Sequence, residues 1–256
     1  MTKPIVKKLF YCPVKSLSFN ESKSLKIIYN VGIKYDRFIA FTRGLDKESA
    51  IKFNNSKNRN LNYFLTLKNS PYLKKYNFIF DTKKNSIELF LNSDRIIQAR
   101  IDDINEINKV EKYIENIHKN IKKPVYFIHN NKLPFFDTTP NISISLINLN
   151  SVKDLEIKLK KKIEYERFRG NILIDNLKPW EEFNLINNNI KIGDVEFFVE
   201  SKIPRCSATN INPKNYNLDI NLPNKLIKLY GHKDLGIYLI PINSGSIKCN
   251  DKIIIN

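Results

Sequence analysis

The stretch SKIPRCSATNINP, Ser201 to Pro213, carries the residue in this chain best placed to do chemistry. Cys206 lies there in a polar segment, directly after Arg205, where a buried structural cysteine would instead sit among apolar neighbours. A guanidinium next to a thiol favours the thiolate. A thiolate can ligate a soft metal or act as a nucleophile. Three other stretches pair small polar residues or prolines with a basic residue: PVKS (Pro13 to Ser16), YDRF (Tyr35 to Phe38) and ERFRGN (Glu166 to Asn171). Lys15, Arg37, Arg169 and Arg205 together suit an anionic or phosphorylated ligand, because arginine binds phosphate with two parallel hydrogen bonds. Taken singly, each stretch is first of all an ordinary loop with a salt bridge.

Arginine is scarce beside lysine, which sharpens the reading. Where lysine supplies nearly all the positive charge, the remaining arginines are candidates for sites that need a planar five-donor fork. For Arg59, Arg95 and Arg100 the sequence offers no reason beyond chance survival.

The elements that must position these residues read mainly as strands. Val6 to Tyr11, Leu25 to Val31 and Arg37 to Thr42 are β-branched or aromatic runs between polar turns. Phe78 to Phe80 and Ile87 to Leu91 flank Asp81 to Ser86 as a hairpin. Asp102 to Asn120 carries apolar residues at helical spacing with acids at its start, and Pro124 follows. A second helix is expected to open at Ser151, with Asp154 completing a capping box. Strands resume at Asn171 to Asp175, Lys191 to Val199, Gly236 to Ile242 and Ser246 to Ile255. The stretches IKIGD (Ile190 to Asp194) and IKCND (Ile247 to Asp251) echo each other, each with a residue that tolerates positive φ at a corner. The expected fold class is therefore mainly β with flanking helices (α+β), barrel-like in part.

Composition excludes more than it identifies. A chain of 256 residues with 42% hydrophobic and 11% aromatic content has the make-up of a folded globular protein. It holds no apolar run long enough to span a membrane, and its start lacks the apolar core of a signal peptide. Its 3 cysteines are too few for a disulfide framework, so a cytoplasmic setting is expected, with Cys12 and Cys249 as small buried hydrophobes inside strands. The net charge of +17 is scattered lysine, including Lys158 to Lys162 on a predicted helix face. No zinc-finger spacing or aromatic RNA-binding strand accompanies it, so no nucleic-acid partner is expected. Phosphate loops, nucleophile elbows and zinc helices are absent. His118, on a predicted helix, and His129, at a strand end, read as structural or surface residues. A Cys206–His232 nucleophilic pair has little support.

In order along the chain, YCPVKSL, VGIKYDRFIAF, FFDTTPNISI, ERFRGNILID, IKIGDVEFFVESKIPRCSATNINP and SGSIKCNDKI resemble the MOSC proteins. The resemblance is closer to members that join an N-terminal MOSC β-barrel domain to the MOSC domain, such as the amidoxime-reducing components and their bacterial relatives. It runs from about Lys7 to Ile255. It implies an N-terminal β-rich domain at 1–122 and a β-barrel MOSC domain at 123–256. It also implies a molybdenum cofactor (Mo-pterin), with Cys206 as metal ligand and catalytic residue. Lys15, Ser16 and Arg37 would contact the pterin and its phosphate. Thr138, Thr139, Arg169 and Asn171 would line the cofactor, with Arg205 beside the ligand cysteine. The family is further associated with pyridoxal phosphate binding.

The implied activity is reduction of small N-hydroxylated compounds by oxygen-atom abstraction at molybdenum. The electrons would come from an external ferredoxin- or cytochrome-type donor, since the cysteines cannot hold an iron–sulfur cluster. The alternative is a sulfur carrier or cofactor-handling protein that uses Cys206 without turnover. Two departures from the family pattern stand out: Pro204 replaces the usual serine before Arg205-Cys206, and Gly170 replaces the proline of F-R-P-N. His232 and Asp234, in GHKDLGIYL, read either as a plain turn or as groups that deliver protons.

Overall fold

Val195–Pro204 shows why this chain forms strands: Val195, Phe197 and Val199 are buried in alternation with the less buried Glu196, Phe198 and Glu200, as a pleated strand with one buried face requires. The computed structural model describes residues 3–136 and 142–255. In chain order the strands begin with β1 (Ile5–Tyr11), β2 (Asn20–Ser22), β3 (Ser24–Ile28), β4 (Gly32–Ile33), β5 (Ile39–Arg43), β6 (Tyr76–Asp81), β7 (Ser86–Leu91) and β8 (Asp94–Arg100). They continue as β9 (Val125–His129), β10 (Ile144–Asn148), β11 (Ile172–Asp175), β12 (Asn189–Ile192), β13 (Val195–Pro204), β14 (Asp234–Pro241), β15 (Gly245–Lys248) and β16 (Ile253–Ile255). The α-helices are α1 (Lys47–Asn55), α2 (Ile104–Asn116), α3 (Leu149–Leu159) and α4 (Leu222–Tyr230). The protein is mainly β, with few helices. No helix among the described residues is long and apolar enough to cross a membrane.

The chain divides into two compact units, and neither is one continuous piece. The first holds Met1–Tyr11, Glu21–Lys34 and Asn141–Asn256; the second holds Cys12–Asn20 and Tyr35–Pro140. The division expected at 122/123 differs from this because β1 pairs with β11 and β3 pairs with β15. The first unit contains an eight-stranded sheet in the order β16-β12-β13-β14-β10-β11-β1-β2, curled like half a barrel. Val6, Leu9, Leu146, Ile172, Phe197, Val199 and Ile237 form part of its core. The second contains the pair β5-β9 and the meander β6-β7-β8.

Local chemistry explains where the sequence expectations stop. α2 begins at Ile104 because the Asp103 carboxylate accepts from the Asn105 and Glu106 N–H groups. His118 lies beyond its end and stacks on Tyr72, ring centroids 4.1 Å apart. α3 opens earlier than expected, capped by Asn148 rather than Ser151. The Ser151 hydroxyl instead lies 2.8 Å from both Glu182 oxygens, and Asp154 accepts from Trp180 Nε1 and Tyr230 Oη. The run Lys191 to Val199 is two strands, broken at Gly193 (φ +55), and Ser246 to Ile255 is broken at Asn250 (φ 71). These two echoing corners pack together: a Cβ on Gly193 would come within 2.5 Å of Asp251 Oδ2. Cys12 is buried but just past β1, and Cys249 is only partly buried, in a turn.

Candidate functional site

In the first unit, β13 leaves the ladder in front of Cys206. Its register against β14 shifts between Lys202 and Pro204, where Pro204 faces Asp234. A proline fits at such a strand end, where no ladder donor is required. The backbone then turns: Arg205 N–H donates to Lys233 O at 2.9 Å, and the Cys206 carbonyl accepts from Thr209 N (3.1 Å) and Thr209 Oγ1 (2.8 Å). Cys206 itself is exposed and unpaired with any other cysteine.

Arg205, by contrast, is 7% exposed and faces inward. Its Nε donates to Leu235 O at 2.8 Å and Nη1 to Phe168 O at 3.0 Å, while Nη2 also bonds to Leu235 O. Burial lowers its pKa to about 10, with Tyr238, Cys206 and Asp234 acting in the opposite direction. The fork expected to grip an anion thus clamps the chain on either side of it. Gly236 makes room: its φ is +81, and a Cβ there would meet Leu146 O and Ile147 Cδ1 at 2.5 Å and Arg205 Nη2 at 3.2 Å.

The clamp joins the PRC and FRGN stretches, since Phe168 precedes Arg169. Arg169 closes a 3-10 turn with φ 50 and is half-buried. Asn171 is buried and binds Ser145 reciprocally: its Oδ1 accepts from Ser145 Oγ at 2.8 Å, and its N–H lies 3.0 Å from both Ser145 O and Oγ. Its Nδ2 donates to Phe10 O at 3.1 Å. Asn171 therefore ties β1, β10 and the start of β11 together. Gly170 has no room for a side chain, because a Cβ would lie 2.4 Å from Ile147 Cγ1.

Arg167, one of the scarce arginines but not singled out from the sequence, fixes the far side of the Cys206 turn. Its side chain is fully buried, with Nε on Glu164 at 2.8 Å and Nη1 and Nη2 on the two Asp219 oxygens at 2.8 and 2.9 Å. Nη1 also reaches Asn210 O at 3.3 Å, within the turn Ser207–Asn210. Hydrogen bonding from Arg167 holds the Asp219 carboxyl well below the usual range. The repeated arginines in ERFRGN were the available signal for Arg167; nothing in the sequence points to Asp219.

His232 is engaged within its own turn and by aromatic neighbours. Its Nδ1 accepts from the Asp234 N–H at 3.1 Å, and its ring lies against Trp180, Phe183 and Tyr230. Among the described residues no hydrogen bond joins it to Cys206, and no group of three or more His, Cys, Asp or Glu side chains is arranged to hold a metal.

In the second unit, the PVKS and DRF stretches run side by side. Lys15 N donates to Ile39 O at 2.8 Å, Ile39 N to Pro13 O at 3.1 Å and Arg37 N to Cys12 O at 2.6 Å. Lys15 is 2% exposed, its Nζ 2.9 Å from Phe135 O and 4.8 Å from the Phe64 ring centroid. Arg37 pairs with Asp36, whose other oxygen accepts from Cys12 N, and lies over the Phe136 ring. Arg59 is no chance survivor. It donates to Phe53, Asn54, Leu133 and Pro134 carbonyls at 2.8 to 3.2 Å and stacks on Phe135. Arg95 and Arg100 do make only exposed ion pairs. Thr138 and Thr139 lie outside the described residues.

Backbone conformation offers an independent mark. Left-handed φ is uncommon outside glycine and asparagine. Apart from those two types, it occurs at Ser16, Tyr35, Arg37, Lys160, Arg169, Trp180 and Tyr216. Ser16, Arg37 and Arg169 are all residues to which the family resemblance gives a cofactor contact. Such strain concentrates at functional sites.

Comparison with known proteins adds a family match over the later part of the chain. Residues 136–254 match the MOSC domain model, a shorter span than the 123–256 read from the sequence. Mitochondrial amidoxime reducing component 2 of Rattus norvegicus is 28% identical over 139 residues, 50% of this chain and 40% of that protein. Mitochondrial amidoxime-reducing component 1 of Homo sapiens is 28% identical over 134 residues, 48% of this chain and 38% of that protein. Molybdenum cofactor sulfurase of Drosophila ananassae is 28% identical over 115 residues, 43% of this chain but 15% of that protein. The matched part of this chain thus spans well under half of each relative. By its sequence motifs and this match, the segment 136–254 is similar to the MOSC domain.

Proposed function

We propose that this chain binds a molybdenum cofactor and reduces N-hydroxylated compounds, R–NH–OH + 2H⁺ + 2e⁻ giving R–NH₂ + H₂O, with electrons from an external ferredoxin- or cytochrome-type donor. The observation that carries the reading is the left-handed backbone of Ser16, Arg37 and Arg169, residues that the family resemblance also assigns to the cofactor. The residues fit such a group: Cys206 offers an exposed thiol on a turn braced from both sides. Soft thiolate suits the metal. When bound in its reduced form, the group would supply two electrons to the substrate and an acceptor for its oxygen atom.

In this reading Cys206 ligates the metal, while Arg205 and Asn171 shape the surrounding backbone. Arg169 serves the phosphate. Lys15, Ser16, Arg37, Thr138 and Thr139 are assigned to the cofactor by the resemblance. The likeness to mitochondrial and sulfurase proteins leaves the setting, cytoplasmic or organellar, as part of the proposal. The exposure of Cys206 also supports a second reading, a sulfur carrier that holds a persulfide on this thiol.

Metal and pterin analysis of protein from a cofactor-producing host tests both. Roughly stoichiometric molybdenum that is lost in Cys206→Ala supports the enzyme. Folded protein with neither molybdenum nor pterin overturns it, and cyanide-labile sulfur on Cys206 selects the carrier.

A further inference from the structure

The second unit contains a cavity of about 260 Å³ between α1, α2 and β9, room for roughly nine waters at liquid density. Ile51, Ile101, Ile104, Ile107 and Ile128 give it apolar walls, and Lys47, Asn108, Glu111 and His129 add polar groups. Its position follows from where the side-chain acceptors of α2 stop along β9. β9 pairs with β5 along one edge, so the N–H groups of Val125, Phe127 and His129 face the other. α2 supplies acceptors to that edge: Glu115 Oε1 takes the Val125 N–H and Glu111 Oε1 the Phe127 N–H, both at 2.7 Å. Four helical residues advance about 6 Å and two strand residues about 6.8 Å, so the two series stay in step.

The third helical rung is Ile107, which has no acceptor. Among the described residues nothing accepts from the His129 N–H, and the cavity opens at this level. His129 is exposed at this end of β9, as are Ile51 and Ile104 on the rim, so an occupant that replaces water here gains by offering a hydrogen-bond acceptor to the strand and an apolar body to the isoleucines. The carboxylate of Glu111, with one oxygen on Phe127, favours a donor on the same ligand and disfavours a second carboxylate. A primary carboxamide combines acceptor and donor in one plane.

We propose that this cavity binds a small apolar primary carboxamide, whose C=O accepts from His129 N–H and whose NH₂ donates to Glu111. The site is independent of the molybdenum reading, and benzamide serves as the probe. Titrated into ¹⁵N-labelled protein at millimolar concentration, benzamide should shift the His129 amide resonance saturably, with benzoate giving a much weaker response. Glu111→Gln keeps an acceptor for Phe127 but turns a donor toward the cavity. It should weaken benzamide by roughly tenfold and strengthen benzoate. Ala50→Leu, which fills the cavity from α1, should abolish both responses. A His129 amide that benzamide leaves unmoved, an equal response to benzoate in the wild type, or a benzamide response that Glu111→Gln leaves unchanged would each overturn the assignment.

Discussion

The two flanks of Cys206 bury arginine in opposite ways. On the near side the hydrogen-bond partners of the Arg205 side chain among the described residues are neutral, the carbonyls of Phe168 and Leu235, and burial lowers its pKa. On the far side Arg167 sits on two carboxylates and its pKa rises: its hydrogen bonds to Asp219 and Glu164 outweigh burial, the largest single influence. A cation on carbonyls secures backbone geometry at an electrostatic cost. A cation on carboxylates secures it with charge that must stay paired, because the partner left behind is stranded. The turn carrying the thiol is thus held rigidly by one flank and conditionally by the other.

The largest effect should come from breaking the paired flank. Arg167→Met leaves Asp219 and Glu164 without their partner and should cost about 3 kcal/mol or more, lowering Tm by roughly 6–12 °C. Chemical denaturation measures the loss, and a change under about 0.5 kcal/mol would remove the contrast between the flanks. The pairing also predicts an acid limb. The folded-state pKa of Asp219 is depressed, so its contribution is complete above the ordinary carboxylate value of 3.8 and is lost as pH falls below it. Asp219→Asn should flatten that limb.

Next in size is Gly236→Ala, which perturbs the carbonyl flank through the backbone. A left-handed φ and two approaches of 2.5 Å suggest a loss of about 2–3 kcal/mol. Arg205→Met should cost less, about 1–2 kcal/mol, since removing the buried charge offsets part of the lost hydrogen bonding. If Arg205→Met proves more damaging than Arg167→Met, the two flanks have been ranked the wrong way round.

The sequence showed much of this architecture unevenly. Strands such as Val6 to Tyr11 were legible because alternating burial leaves a period of two. α1 and α4 were not, because α1 buries only Ala50 and α4 only Leu222 and Leu226. At the site, residue type was legible and direction was not. The sequence marked Arg205 as a fork but gave no sign that the fork turns inward, which depends on Gly236, some thirty residues later. Arg59 was discounted because its four carbonyl partners are spread over Phe53 to Pro134. Asp219 was invisible for the same reason: an ion pair across 52 residues leaves no local pattern.

A third buried charge sets the lower bound of the comparison. Glu182 is 0% exposed and, among the described residues, has no cation in a salt bridge with it; its carboxylate accepts from Asn148 Nδ2 at 2.9 Å and the Ser151 hydroxyl at 2.8 Å. Burial is the main cause of its raised pKa, partly offset by these hydrogen bonds. The sign is the reverse of Asp219: the folded state binds the proton more tightly, so stability falls as pH rises from the ordinary glutamate value through the raised one. Glu182→Gln is nearly isosteric and carries no charge to bury. Above the raised pKa it should be neutral or stabilising by up to about 1 kcal/mol, and it should remove that pH slope. A clear loss of stability at pH 8 would instead show that the ionised carboxylate is favoured by this hydrogen-bonded pocket, making it an ally of the Asp219 flank rather than of Arg205.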